Sequence, residues 1–177
     1  MCRDGSFGRV VLLGSAETLR EIESVLPPAI AERVVGAKPV DLHADDRTLL
    51  EQAHALYFDE ERESEERLWE RIRSEYLRGG LAAAGPEEVL KAATTGRVEA
   101  MIVARDARIV GTRCRDCENV AAVRVEACPT CGSGSVFALD LVDELARQLE
   151  LTSATAEFSD PIPALSELGG VAALLRY

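Results

Sequence analysis

With 177 residues the chain fits one domain of ordinary size, or one domain and part of a second. A hydrophobic share of 47% supplies a real core and excludes global disorder, while 31 acidic against 20 basic residues leave a formal charge of −11 that repels a phosphate backbone on average. No apolar run reaches the length of a membrane span, and no N-terminal stretch has the basic, apolar, small-residue order of a signal peptide, so the expectation is a cytoplasmic chain with no membrane partner.

The first elements read as strand, helix, strand. Gly8 to Gly14 is a short apolar run bounded by glycines, as a buried strand would be. Ser15 can cap a helix whose apolar face is Leu19, Ile22, Val25 and Leu26, and Pro27-Pro28 stops it. A helical turn over residues 29–32 leads into a strand at Arg33 to Gly36. This βαβ-sized piece is too small to bury enough surface alone. Its strand edges are expected to pair with the main sheet or with a second copy, which makes a homodimer through the N-terminal strands an expectation.

A long helical region follows. Asp45 or Asp46 can cap it, and Leu49, Leu50, Ala53, Leu56, Tyr57 and then Leu68, Trp69, Ile72, Tyr76, Leu77 recur at helical spacing. The charged stretch Asp59 to Arg67 between them reads as solvated helix surface. Gly79-Gly80 ends the element. Pro86 at a first helical position, acids at Glu87 and Glu88 and Gly96 beyond the end mark another helix. Strands are expected at Val98 to Ala104, Arg108 to Thr112, Val120 to Val125, Ser135 to Leu139, Ala154 to Phe158 and Val171 to Leu175, with an amphipathic helix over residues 140–149 and a loop or helical turn over 161–168. Helices alternating with strands predict an α/β fold, a layered sheet with flanking helices.

The strongest chemical signal is a pair of Cys-x-x-Cys units, Cys114/Cys117 and Cys128/Cys131. A two-residue gap lets both thiolates of a pair point inward from one turn, and two such turns offer four sulfurs at tetrahedral corners. Gly132 and Asn119 suit the left-handed residue each turn needs. Two disulfides or a redox pair fit less well, because the chain reads as intracellular and the flanks are not thioredoxin-like. The reading adopted is structural Zn2+ closing a β ribbon, with iron in the same sulfur set as the alternative. Four protein ligands leave no open position, so the metal would staple structure and do no chemistry. Cys2 is read as a free thiol. His43 and His54 are assigned to cap-region and helix-face roles, the cluster Asp41, Asp45, Asp46 to N-capping, and Trp69 and Tyr76 to the core.

From Gly79 onward the order of elements resembles the third domain of the archaeal and eukaryotic class 1 peptide chain release factors and Pelota proteins. The resemblance rests on Gly79 to Ala93, then Gly96 to Val103, and on the tail Glu157-Phe158-Ser159 with Leu168-Gly169-Gly170-Val171 through Arg176-Tyr177. It is closest to the bacterial branch of that superfamily, some of whose relatives carry a cysteine-bearing insertion where Cys114 to Cys131 sit. Leu12-Leu13-Gly14-Ser15, Leu26-Pro27-Pro28 and Arg33 to Gly36 look like the end of the superfamily's RNase H-like second domain. The resemblance implies residues 1–40 as a second-domain remnant and residues 41–177 as a third-domain-like unit with a zinc ribbon at 110–138. It implies a fold like that of kink-turn-binding ribosomal proteins.

The departures are as informative. Gly79-Gly80 is followed by Leu81 and Gly169-Gly170 by Val171, so the Gly-Gly-Gln tripeptide of release factors is not carried over, and peptidyl-tRNA hydrolysis is not implied. No other catalytic set can be assembled, and the chain is read as no enzyme. The expected function is a translation-related docking module for a translational GTPase or a ribosome-associated factor. The alternative is contact with structured RNA through a basic face including Arg105, Arg108, Arg113 and Arg115.

Overall fold

The computed structural model describes residues 8–41 and 43–177; the reading of Cys2 lies outside them. The chain divides into two units, one ending at Ser64 and one spanning Glu65–Tyr177. Among the described residues no helix is long and apolar enough to cross a membrane.

In the first unit, β1 (Val10–Gly14) and β2 (Val34–Pro39) form a parallel pair. The connection carries α1 (Ala16–Val25) and α2 (Pro28–Ala31). Ser15 caps α1, its side chain accepting from the Thr18 N–H at 3.1 Å, and Leu19 is the buried residue of that helix. Among the described residues β1 and β2 pair only with each other. The long helix α3 (Asp46–Leu77) starts in this unit, with Asp45 accepting from the Thr48 N–H at 2.8 Å, and its last three turns belong to the second unit.

The second unit is built on a four-stranded sheet. β3 (Ala82–Ala84), β9 (Val171–Leu175), β4 (Val98–Ala104) and β8 (Thr155–Ser159) stand in that spatial order. β9 runs antiparallel to β3 and β4, and β4 runs parallel to β8. One face packs against α4 (Pro86–Thr94) and α5 (Leu141–Thr152) through Val89, Leu145 and Leu149, with Val98, Met101, Val103, Val171 and Ala173 supplied by the sheet. The other packs Leu68, Trp69 and Ile72 of α3, and Leu165 of α6 (Pro163–Glu167), against Ile102, Ala104, Ala172 and Leu174. Strict alternation would send Val98 and Met101 to opposite faces. The register shift between Val98 and Ala100 puts both on the α4/α5 side. A sheet covered on both faces reads as continuous apolar runs, which is why β4 and β9 stand out in the sequence.

The structure adds one strand to those expected and moves one residue out of the core. β3 is a strand of three alanines, a residue with weak strand preference, and its pairing with β9 makes it one. Trp69 is 7% exposed but Tyr76, two turns later, is 40% exposed, so only the former is core.

The turn from α6 into β9 uses Gly169 and Gly170, both at positive φ (91° and 79°). A Cβ on Gly169 would stand 2.8 Å from Cδ of Pro86, the first residue of α4. Backbone conformation and space both demand glycine at this position. Gly169→Ala is expected to lower unfolding free energy by about 2 kcal/mol or more, read from urea denaturation.

Candidate metal centre

Between β4 and α5 the chain makes a three-stranded sheet of its own, β6 (Val120–Ala121), β5 (Val110–Cys114) and β7 (Val136–Asp140), in that order. β5 pairs antiparallel with both neighbours. The strand expected over residues 120–125 is only two residues long. The Thr112 hydroxyl donates to the Val123 carbonyl at 3.0 Å and receives the Val125 N–H at 3.2 Å. That side chain takes over bonds a longer ladder would have made.

β5 runs directly into the first cysteine turn. The two turns repeat one another. The Cys114 N–H donates to the Asn119 carbonyl at 2.9 Å, and the Cys128 N–H to the Ser133 carbonyl at 2.8 Å, the same five-residue span. The residue after the second cysteine is left-handed in both, Glu118 at φ 58° and Gly132 at φ 75°. Asn119 was the expected left-handed residue of the first turn; Glu118 takes that role. The hydroxyl of Ser133 donates to the Asp116 carboxylate, tying one turn to the other.

These turns bring Cys114, Cys117, Cys128 and Cys131 together, with all four sulfurs within 4.8 Å of one another. Cys114 Sγ stands 3.6 Å from Cys131 Sγ, and Cys117 Sγ 3.5 Å from Cys128 Sγ. A disulfide would need about 2.05 Å. A tetrahedron with Zn–S bonds of about 2.3 Å has edges of about 3.8 Å. The donor set and its spacing therefore fit a closed tetrahedral zinc site. Electrostatics point the same way. Backbone N–H groups of Cys131 and Thr130 draw the Cys128 thiol down to about 6. The Cys117 thiol is pushed up to about 12: the Asn119 backbone pulls it down, but its sulfur neighbours and burial outweigh that pull. One thiolate among four sulfurs resists the next, and a divalent cation removes that conflict.

The ribbon is joined to the second unit's core by a buried charge. Glu144 of α5 is 6% exposed. It accepts from Arg113 on β5, from Arg147 at 2.7 Å and from Gln148 at 2.9 Å. Hydrogen bonding from Arg147 holds its carboxyl below the usual range against the opposing effect of burial, with Gln148 and Arg113 adding to the fall. Sequence reasoning passed over Glu144. The signal was an acid on the apolar stripe Leu141, Leu145, Leu149, where a carboxylate stays only if paired.

The other candidates do not gather here. His43 and His54 are exposed and stand outside the sulfur cluster. Asp41 accepts from the His43 N–H and Asp45 caps α3. Of the four arginines expected on a basic face, Arg105 pairs with Glu65 and Asp160, and Arg113 with Glu144 and Glu118. Arg115 lies over the Phe137 ring at 4.7 Å, and Arg108 donates to the Ala107 carbonyl.

Comparison with known proteins agrees with this geometry. Residues 103–136 match the family model described as ChsH2, rubredoxin-like zinc ribbon domain. Together with the clustered cysteines, that match assigns structural zinc as the cofactor. Peptide chain release factor subunit 1 of Archaeoglobus fulgidus is 33% identical over 129 residues, 64% of this chain and 32% of that protein. The Methanocaldococcus jannaschii counterpart is 28% identical over 156 residues, 74% of this chain and 37% of that protein. The chain thus spans about a third of the length of the curated relatives it matches. The C-terminal domain of a Methanosarcina mazei peptide chain release factor superposes at TM-score 0.54 with 25% identity, covering 76% of this chain and 97% of that one. Ribosome-bound archaeal Pelota, described together with ABCE1, shares the fold at TM-score 0.55 and 16% identity, over 96% of this chain and 43% of its own. The chain is homologous to the C-terminal domain of archaeal release factor 1 and shares its α/β fold.

Two outcomes are expected. Purified protein should carry about one zinc per chain, and Cys128→Ser should lose it to a chelator that leaves the parent loaded, with melting lowered by roughly 5 °C or more. Glu144→Leu alone should cost about 3 kcal/mol by leaving Arg113 only its longer contact with exposed Glu118, and adding Arg113→Met should restore most of it, measured as a double-mutant cycle in urea.

Proposed function

We propose that this chain is a non-catalytic docking module of the translation apparatus, in which the zinc ribbon presents a surface to a translational GTPase or a ribosome-associated factor. The observation that carries this reading is the coverage of 97% of the solved release-factor C-terminal domain, supported by 33% identity to a release factor subunit 1. Residues 41–177 are read as the third-domain-like unit with its ribbon at 110–138, and residues 1–40 as the end of an RNase H-like second domain of a cytoplasmic, bacterial-branch relative. A second copy of the chain would add at the outer edges of the β1–β2 pair.

The solved relatives suggest the class of partner. One is the ribosome-bound Pelota described with ABCE1, and Saccharomyces cerevisiae Dom34, described as interacting with Hbs1, shares the fold at TM-score 0.55 and 12% identity, over 97% of this chain and 46% of its own. The assigned site fits a structural role, because Cys114, Cys117, Cys128 and Cys131 acting as four ligands to zinc leave no position for substrate. Binding to structured RNA is the competing reading; it would have to overcome a charge of −11 and the carboxylates already paired with Arg105 and Arg113.

Zinc-loaded tagged protein is expected to sediment with ribosomes from lysate, or to retain a translational GTPase or ABC-type ATPase, and Cys128→Ser to lose that partner. Recovery of neither by folded, zinc-loaded protein overturns the reading. Salt-dependent retention of deproteinised ribosomal RNA in place of a protein partner favours the RNA reading.

A further inference from the structure

β7 lies at the rim of the ribbon sheet, and its outer side is free of strand partners among the described residues. The bonds just beyond its ends fix its phase. The Leu141 N–H donates to the Ile109 carbonyl, and the Arg115 N–H to the Ser135 carbonyl. Antiparallel bonding alternates, so Phe137 and Leu139 use their main chain toward β5. The Val136 carbonyl, both main-chain groups of Ala138 and the Asp140 N–H point away from the sheet.

Exposed edges are usually blunted by proline, lysine, a bulge or a covering element. Val136-Phe137-Ala138-Leu139-Asp140 has no proline, no lysine and no register shift. A groove of about 290 Å³ runs beside it, lined by Phe137 and Leu139 on the strand and by Asp143 and Arg147 on α5. Phe137 is 38% exposed, its ring held by the Arg115 guanidinium. The charges in this groove do not balance. Arg113 and Arg147 are both engaged by Glu144, whereas Asp140, which caps α5 by accepting from the Val142 N–H at 2.9 Å, and Asp143 have no ion-pair partner among the described residues.

We propose that the outer edge of β7 is a strand-addition site that takes an extended partner segment alternating apolar and basic side chains. Main-chain bonds at Ala138 would hold the segment, Phe137 and Leu139 would take its apolar residues on one face, and Asp140, on the Ala138 face, its cations. Charge selects this occupant over a second copy of the chain, which would bring another −11 to an acidic groove. The inference deepens the docking reading, on which it rests, by stating the chemistry of the segment that docks.

The probes are two blocked heptapeptides, Lys-Val-Lys-Val-Lys-Val-Lys and its glutamate counterpart, titrated against zinc-loaded full-length protein at low salt. The lysine peptide is expected to bind, the glutamate peptide to bind at least about tenfold more weakly, and amide exchange to slow at Ala138 and Asp140. Ala138→Pro removes an N–H that points outward and spares the β5–β7 ladder, so zinc content should be kept while affinity falls about tenfold. Asp140→Asn, which keeps the cap of α5 and removes the charge, should narrow the preference for lysine without proline's backbone risk. Equal binding of both peptides, unchanged binding by folded Ala138→Pro, or protection of Ala138 that rises with protein concentration in the absence of peptide overturns the proposal. Failure of peptide binding with ribosome or GTPase capture intact removes the strand-addition site and leaves the docking reading standing; loss of capture with peptide binding intact does the reverse.

Discussion

Burial of β4 and β9 on both faces is the constraint from which the second unit follows. Each residue of β9 from Val171 to Leu175 is buried, so the strand needs a cover on either side and a paired neighbour on either edge. α4 and α5 supply one cover, the end of α3 and α6 the other, and β3 and β4 the edges. The cost of admitting a polar or larger side chain in β9 is high because none of its positions faces water. The glycine pair before β9 belongs to the same constraint, since the chain must reverse against Pro86 in the space a Cβ would occupy.

The ribbon obeys a different rule. Its sheet has few large apolar residues, and Val110, Val123 and Phe137 are substantially exposed. Hydrophobic burial of this size cannot order about thirty residues against their chain entropy. Order comes chiefly from the four sulfurs, with Ala122, Val120 and Leu139 packing the base of the ribbon on the core. Such a division lets the two parts change independently: the core is fixed by packing, while the ribbon is free to vary its outward surface as long as the cysteine turns and the Arg113–Glu144 contact remain.

How legible these features were depends on how local their causes are. The boundaries of β9 could be read to the residue, because a run buried on both faces and preceded by two glycines leaves little choice. The cysteine turns were equally plain, since ligand spacing is a local property. β3 was invisible because three alanines become a strand only through β9, and β6 was overdrawn because the Thr112 hydroxyl acts across eleven to thirteen residues. In the first cysteine turn the better left-handed residue, Asn119, stood beside the one that carries the conformation, Glu118. Position after the second cysteine decided the matter, not intrinsic preference, as the matching Gly132 shows.

Glu144 joins these themes. A carboxylate 6% exposed is costly unless its bonds are satisfied, and three donors from two elements satisfy it. Arg147 and Gln148 sit on the same helix as Glu144 and satisfy its carboxylate from within α5. Arg113 is the one of the three donors on the ribbon, one residue before the first cysteine ligand of the proposed site. The bond from Arg113 therefore sets the angle at which β5, and with it the cysteine turns and the β7 rim, leave the core. A purely apolar contact would hold the ribbon near α5 but permit sliding; a directional, charge-assisted bond permits one orientation. Fixing that orientation is a reason to keep a buried charge that adds little to stability beyond what apolar packing would give.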